Sequence, residues 1–224
     1  MKESAVYMKH KSSIFLEVLL VLSVITVLGA CSNKVTNQKN LKKVYVEGSF
    51  SINVDSPRAT VGDADYVFVG RVIQKDKTSY KDTVTVETAN GGAKEVSTPY
   101  SNYKVSVLKN IKGNLKVDSS IPIQKFGGVN KDHTEIVLYE DDQLPEENKT
   151  YVFLAYAQDD GSLLISGPNS NKIIGDNSNE ATAKNISLYA KKSDVISDYQ
   201  NAYEHQIETK RDRSISKYDT MKND

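Results

Sequence analysis

The apolar positions of this chain fall into two regimes. Val18 to Leu28 is a nearly unbroken apolar run of eleven residues, whereas beyond residue 44 the apolar positions come in short, mostly alternating stretches. Val44 and Val46 alternate with Tyr45 and Glu47, and Phe50, Ile52 and Val54 continue the pattern after Gly48, which predicts a bent or bulged strand. Ser56-Pro57 stops it, and Pro57 to Asp63 reads as a short helical turn capped by Ser56. Asp65 to Ile73 (DYVFVGRVI) carries β-branched and aromatic residues on both faces, as a strand buried on two sides must, and this predicts the centre of the core.

Residues 78–102 read as a projecting hairpin turning at Asn90-Gly91, a pair that readily supplies the positive φ angles of a tight turn. Tyr103, Val105 and Val107 then alternate with Lys104 and Ser106, giving one dry face and one wet face, until Lys112-Gly113-Asn114 ends the strand. Ile121, Ile123 and Lys125 share a face of the next strand, which stops at Gly127-Gly128. Thr150 to Tyr156 is again apolar on both faces, and Asp159-Asp160-Gly161 turns it into Leu163 to Ile165. The count is five or six strands, a mainly β fold with short polar turns. Past a polar linker, Ser193 is placed to cap a helix whose Val195, Ile196, Tyr199, Tyr203 and Ile207 form a stripe expected to lie against the strands.

These elements divide the chain into a segment 1–30, a polar tether 31–43, a β domain 44–175, a linker 176–192, a helix 193–209 and a polar tail 210–224 expected to fray. The first segment has the parts of a secretory signal: basic and polar residues at 9–13, the apolar run, and Gly29-Ala30-Cys31 behind it. As a helix that run rises only about 16 Å, against a hydrocarbon core of about 30 Å, so it is too short to remain as a span. Met8 offers an alternative start with the same mature product. Leu28-Gly29-Ala30-Cys31 resembles the lipobox of bacterial lipoproteins. The resemblance implies cleavage after Ala30, a diacylglycerol on the Cys31 sulfur whose acyl chains are of the palmitate kind, and a protein held on the extracellular face of the cell membrane. The tether would keep the folded part within about 40 Å of that membrane.

A second resemblance covers roughly residues 55 to 170. A two-sided strand ending Val69-Gly70-Arg71-Val72, a strand from Tyr103 to Val107 closed by Ile111-Lys112-Gly113, and a late Lys149 to Leu154 are similar to a netrin-like domain. That is the OB-type barrel of tissue inhibitors of metalloproteinases and several secreted modules, and small lipoproteins of low-GC Gram-positive bacteria carry similar sequences. The implied fold is a five- to six-stranded OB-like barrel with a projecting hairpin and a C-terminal amphipathic helix. The disulfides of the animal members are missing, and the inhibitors' free amino-terminal cysteine has no counterpart if Cys31 is acylated. Inhibition is therefore not carried over.

Charge and candidate chemistry narrow the function. Lysine plus arginine and aspartate plus glutamate balance at 29 each, and removing Lys2, Lys9, Lys11, Glu3 and Glu17 with the signal leaves a net charge of about −1. No chain-wide cationic field exists to hold nucleic acid. Cys31 is the one cysteine, and with His10 in the signal only His133 and His205 remain, so no metal centre and no cofactor are expected. The acidic groups Glu140-Asp141-Asp142 with Glu146 and Glu147, the pair Asp63 and Asp65, and the turn Asp159-Asp160 are the only carboxylate clusters on which a hydrolase could be built, loop 140–147 being the first choice. They read as solvated loop charges, and no nucleophile elbow or phosphate loop accompanies them, so no catalytic residues are assigned. Tyrosine is abundant at 13 residues, with no tryptophan; Tyr80, Tyr100 and Tyr103 lie on or beside the hairpin as a candidate ligand surface. The expectation is a non-enzymatic module whose partner is a protein, peptide or cell-envelope polymer. A separate reading concerns Ser23 to Ala30, which resembles the apolar pheromone peptides that some Gram-positive bacteria release from lipoprotein signals.

Overall fold

Hydrophobic alternation builds the strands, and their pairing closes them into a ring. The computed structural model describes residues 41–174, 185–186 and 193–222. The signal, Leu28 to Cys31 and most of the 176–192 linker lie outside the described residues. In chain order the elements are β1 (Lys42–Val46), α1 (Pro57–Asp63), β2 (Tyr66–Glu87), β3 (Ala93–Lys112), β4 (Ser120–Phe126), β5 (Gly128–Val129), β6 (Glu135–Tyr139), β7 (Thr150–Ala157), β8 (Leu163–Ile165), β9 (Asn171–Ile173) and α2 (Asp194–Glu204), with a final 3-10 turn at Thr220–Lys222.

β2 pairs antiparallel with β3, β3 with β4, and β4 runs parallel to β8. β8 pairs with β7, and β7 closes on β2 from Tyr66↔Ala155 to Arg71↔Thr150. The result is a closed, OB-like barrel of five strands, with β9 added beside β7 at Phe153↔Asn171. β2 and β7 are apolar on both faces because both faces are covered. Phe68, Tyr103, Val105, Ile123, Phe153 and Ile165 fill the inside, whereas Val67, Val69, Val152 and Leu154 point outward under Val61 of α1 and Ile196 and Tyr199 of α2. Each such side chain contributes about 1.5–3 kcal/mol on full burial. Gly70 is required where β2 and β3 approach: a Cβ there would stand 2.6 Å from Val105 Cγ1.

Ser56 caps α1 as expected, its Oγ accepting the Ala59 N–H at 3.4 Å, with Pro57 in the first turn. α2 starts at the expected cap but ends at Glu204, not 209, and its buried stripe is Ile196, Tyr199 and Ala202, leaving Tyr203 and Ile207 outside. The strand expected over 44–54 stops at Val46; what pairs with it is β6, in parallel, and β5 completes a separate three-stranded sheet. The tail is a second correction. Instead of fraying, it straps across one end of the barrel: Ser216 is fully buried, its N–H donates to Tyr66 Oη at 3.0 Å, and Asp219 bridges to Leu115. A sequence this polar can still dock, because the strap is held mainly by hydrogen bonds and ion pairs, with Tyr218 packed against the core.

Burial pushes the Tyr66 phenol up to about 12, and the Tyr103 and Tyr156 phenols are pushed up for the same first reason. The folded state thus holds these protons more tightly than the unfolded chain, whose ordinary value is about 10. Their contribution is complete below pH about 10 and is lost as pH rises towards about 12. An alkaline titration followed by tyrosinate absorbance and near-ultraviolet circular dichroism should show a late group of tyrosines ionising together with loss of the tertiary signal. A single step near pH 10 with unchanged dichroism would contradict this.

Candidate functional site

The three tyrosines singled out from the sequence have different fates. Tyr103 is fully buried inside the barrel and forms no part of a surface, because its position alternates with exposed Lys104 on the dry face of β3. Tyr80 is half-buried, and its hydroxyl donates to the carbonyls of Val129 and Asn130 at 3.2 and 3.3 Å, tying the base of the hairpin to β5. Tyr100 lies in an aromatic row. It meets Phe126 edge-on at 5.8 Å, Phe126 stacks on Tyr139 at 4.1 Å, and Phe50 closes the row against Tyr139 at 5.4 Å. Lys81 sits over the Tyr100 ring at 4.8 Å.

Beside this row lies a groove of about 520 Å³ between the hairpin and the three-stranded sheet. Its floor is one face of that sheet, where the register sets Val44 against Val137 and Val46 against Tyr139. Its wall is the hairpin, including the cross-strand pair Val84 and Val96, which are 55% and 44% exposed. Exposed valines facing a half-buried apolar floor are the kind of surface that a partner covers. Asp82, at a left-handed φ of 52°, sits at the bulge between Lys81 and Val84 that bends the hairpin. Burial raises the Tyr100 phenol, and the Asp82 carboxylate adds to the rise.

At its outer end the groove is held by the β5–β6 turn. Asn130 Oδ1 accepts the N–H groups of Thr134 and Glu135, His133 takes a φ of 57°, and two ion pairs cross to the hairpin: Lys94–Asp132 at 2.8 Å and Lys131–Glu95 at 3.1 Å. Both pairs are exposed and screened by solvent, so they orient the hairpin rather than stabilise the fold.

Of the acidic residues considered for hydrolysis, Glu140, Asp141 and Asp159 are exposed, and the others are drawn into the scaffold separately. Asp142 is buried against Lys125, whose Nζ also meets Ser170 Oγ at 2.8 Å and the Gly167 carbonyl at 3.2 Å. Burial lowers the Lys125 ammonium and raises the Asp142 carboxyl from their ordinary values, and their mutual attraction opposes both shifts. Glu146 pairs with Lys149, and Glu147 accepts the Lys75 N–H at 2.7 Å. Asp63 and Asp65 are likewise taken by the tail. Asp65 binds Arg211 at 2.5 Å and Arg213 at 3.2 Å, while Asp63 accepts from Thr209 and Tyr156. The guanidinium groups and Lys112 also meet the carbonyls at the C-terminal end of α1, where its dipole is negative. Asp159-Asp160-Gly161 forms the β7–β8 turn, with Asp160 accepting the Ser162 N–H. His133 and His205 lie in a turn and at the end of α2, and among the described residues no group of three ligating side chains is placed to hold a metal ion. No described helix is long and apolar enough to cross a membrane.

The floor of the groove was missed from the sequence. Glu135 to Tyr139 alternates weakly, and its parallel partner β1 lies some ninety positions away. No protein-family model matches the chain, and no curated protein matches it.

Proposed function

We propose that this chain is a lipid-anchored protein of the extracellular membrane face, and that its barrel is a non-enzymatic binding module using the groove between hairpin and three-stranded sheet. The anchor reading is supported by Leu28-Gly29-Ala30-Cys31 behind its apolar run. The binding reading is carried by one observation, the exposed apolar lining of a groove whose walls are held by ion pairs and an Asn-centred turn. The OB-like ring supports the likeness to netrin-like domains, though a fold by itself does not fix a function. Against hydrolysis stand the commitments of Asp142, Glu146 and Glu147 to structural partners. The partner class is a protein, peptide or envelope polymer; nucleic acid is disfavoured by the balanced charge.

The test is retention from an envelope extract on the immobilised full chain, with and without Val96→Arg. Val96 is exposed, so its replacement should move the melting temperature by no more than about 2 °C. The expected result is a component retained by the natural chain and reduced at least tenfold by the variant. Equal retention by both, or none by the natural chain, would sink the reading.

A further inference from the structure

The groove follows a strand edge that has lost its neighbour. β4 pairs with β3 from Ser106↔Ser120 to Ser101↔Lys125, and then Gly127 and Gly128, at φ of 96° and 148°, turn the chain away into β5. Gly127 still pairs with Tyr100, its N–H donating to the Pro99 carbonyl at 2.9 Å; upstream of Pro99, β3 continues to Ala93 with β2 on one side, and among the described residues no strand pairs with the other. Residues 94 to 99 of β3 line the groove consecutively. Side chains alternate between the faces of a strand, so an unbroken lining run marks its edge, with backbone donors and acceptors turned towards the groove. The space where β4 would have continued is therefore shaped for one more strand, over a floor of Val44, Val46, Val137 and Tyr139.

Charge narrows the occupant. The lining holds five carboxylates against the two ammonium groups of Lys94 and Lys131, and both ammonium groups are already engaged by Asp132 and Glu95. Glu47, Asp82 and Glu135 form no ion pair among the described residues, although Glu135 lies within electrostatic reach of Lys94, and they leave the groove with an acidic balance around an apolar floor. A neutral glycan would use neither the strand edge nor this charge, and a second copy added edge to edge about a twofold axis would set the same acidic groove against itself.

We propose that the groove takes a basic extended peptide as an added strand beside residues 94–98 of β3, with alternate apolar side chains on the floor and cationic ones towards Glu47, Asp82 and Glu135. This rests on the groove being the binding site argued above and names its occupant. Main-chain hydrogen bonds would hold the peptide, and the alternating pockets would select its sequence. About six residues at about 3.3 Å each would fill the edge.

Fluorescence anisotropy of the full chain in nonionic detergent tests this with a labelled peptide of alternating lysine and valine. Three controls accompany it: the same peptide with alternate backbone amides N-methylated, one with glutamate for lysine, and one with the lysines and valines in separate blocks. The expected result is saturable binding of the alternating basic peptide, weakened at least tenfold by each control and by the double variant Asp82→Asn with Glu135→Gln. Equal binding of the N-methylated peptide would overturn strand addition, and equal binding of the glutamate peptide would overturn the charge argument. Failure of every peptide while Val96→Arg still abolishes retention from envelope extract would remove the peptide occupant and leave the groove as the binding site. Concentration-dependent dimerisation lost in Val96→Arg would assign the edge to a second copy and overturn the proposal.

Discussion

Replacing Lys125 with methionine is expected to destabilise the fold by about 3–5 kcal/mol, because it leaves the buried Asp142 carboxylate without its cation. For a domain of this size that corresponds to a fall of about 6–20 °C in the melting temperature. The lysine is fully buried on the inward face of β4, in line with Ile121 and Ile123, so the substitution sets an apolar chain where the carboxylate had its cation. The double variant Lys125→Met with Asp142→Leu should recover most of the loss. Ser170 and the Gly167 carbonyl would still satisfy each other at 2.5 Å, and Gln143, whose N–H now binds Asp142, is exposed and can turn to solvent. Thermal unfolding of the two variants beside the natural chain decides the matter. A single variant that melts within about 2 °C of the natural chain would show that the pair does not hold loop 140–147 to the barrel.

Cys31→Ser is expected to move the protein almost completely from the membrane fraction to the soluble one. Acyl burial contributes about 0.8 kcal/mol per methylene, and two chains give stable attachment where one is marginal. No described helix can substitute as a span, so the thioether is the one anchor proposed. Fractionation followed by intact-mass measurement checks both halves of the statement: the natural chain should begin at Cys31 and carry the added mass of a diacylglycerol, and the variant should lack it. An unmodified full-length polypeptide in the membrane fraction, or an unaltered distribution of the variant, would remove the lipoprotein reading.

Much of the barrel was legible because its strands alternate cleanly. Tyr103, Val105 and Val107 inside and Lys104 outside follow directly from a period of two, and the two-sided β2 and β7 signalled their central place. Even the Lys125 position was legible as an inward one, although nothing local identifies its partner seventeen residues away in what reads as a solvated acidic loop. The candidate site was less legible. Tyr100 and the hairpin pointed towards it, but Tyr80 is pinned by its hydroxyl and Tyr103 is buried. The floor depends on the parallel pairing of β1 with β6, which no short-range signal announces. The strap was hidden for a different reason: its attachments are Arg211 and Arg213, and in a sequence such residues look the same whether they face water or a buried carboxylate.

That strap has a consequence for how the molecule is made. Arg213 meets Asp65 across 148 positions, and Ser216 reaches Tyr66 across 150, so one end of the barrel is sealed by residues that follow every barrel strand in the chain. A nascent chain that already holds every barrel strand still presents the Tyr66 and Leu115 end uncovered. Contacts of such long separation form late and keep apolar surface exposed until they do. Closure of that end therefore waits for the strap to dock, so the barrel strands can pair before the core they enclose is sealed.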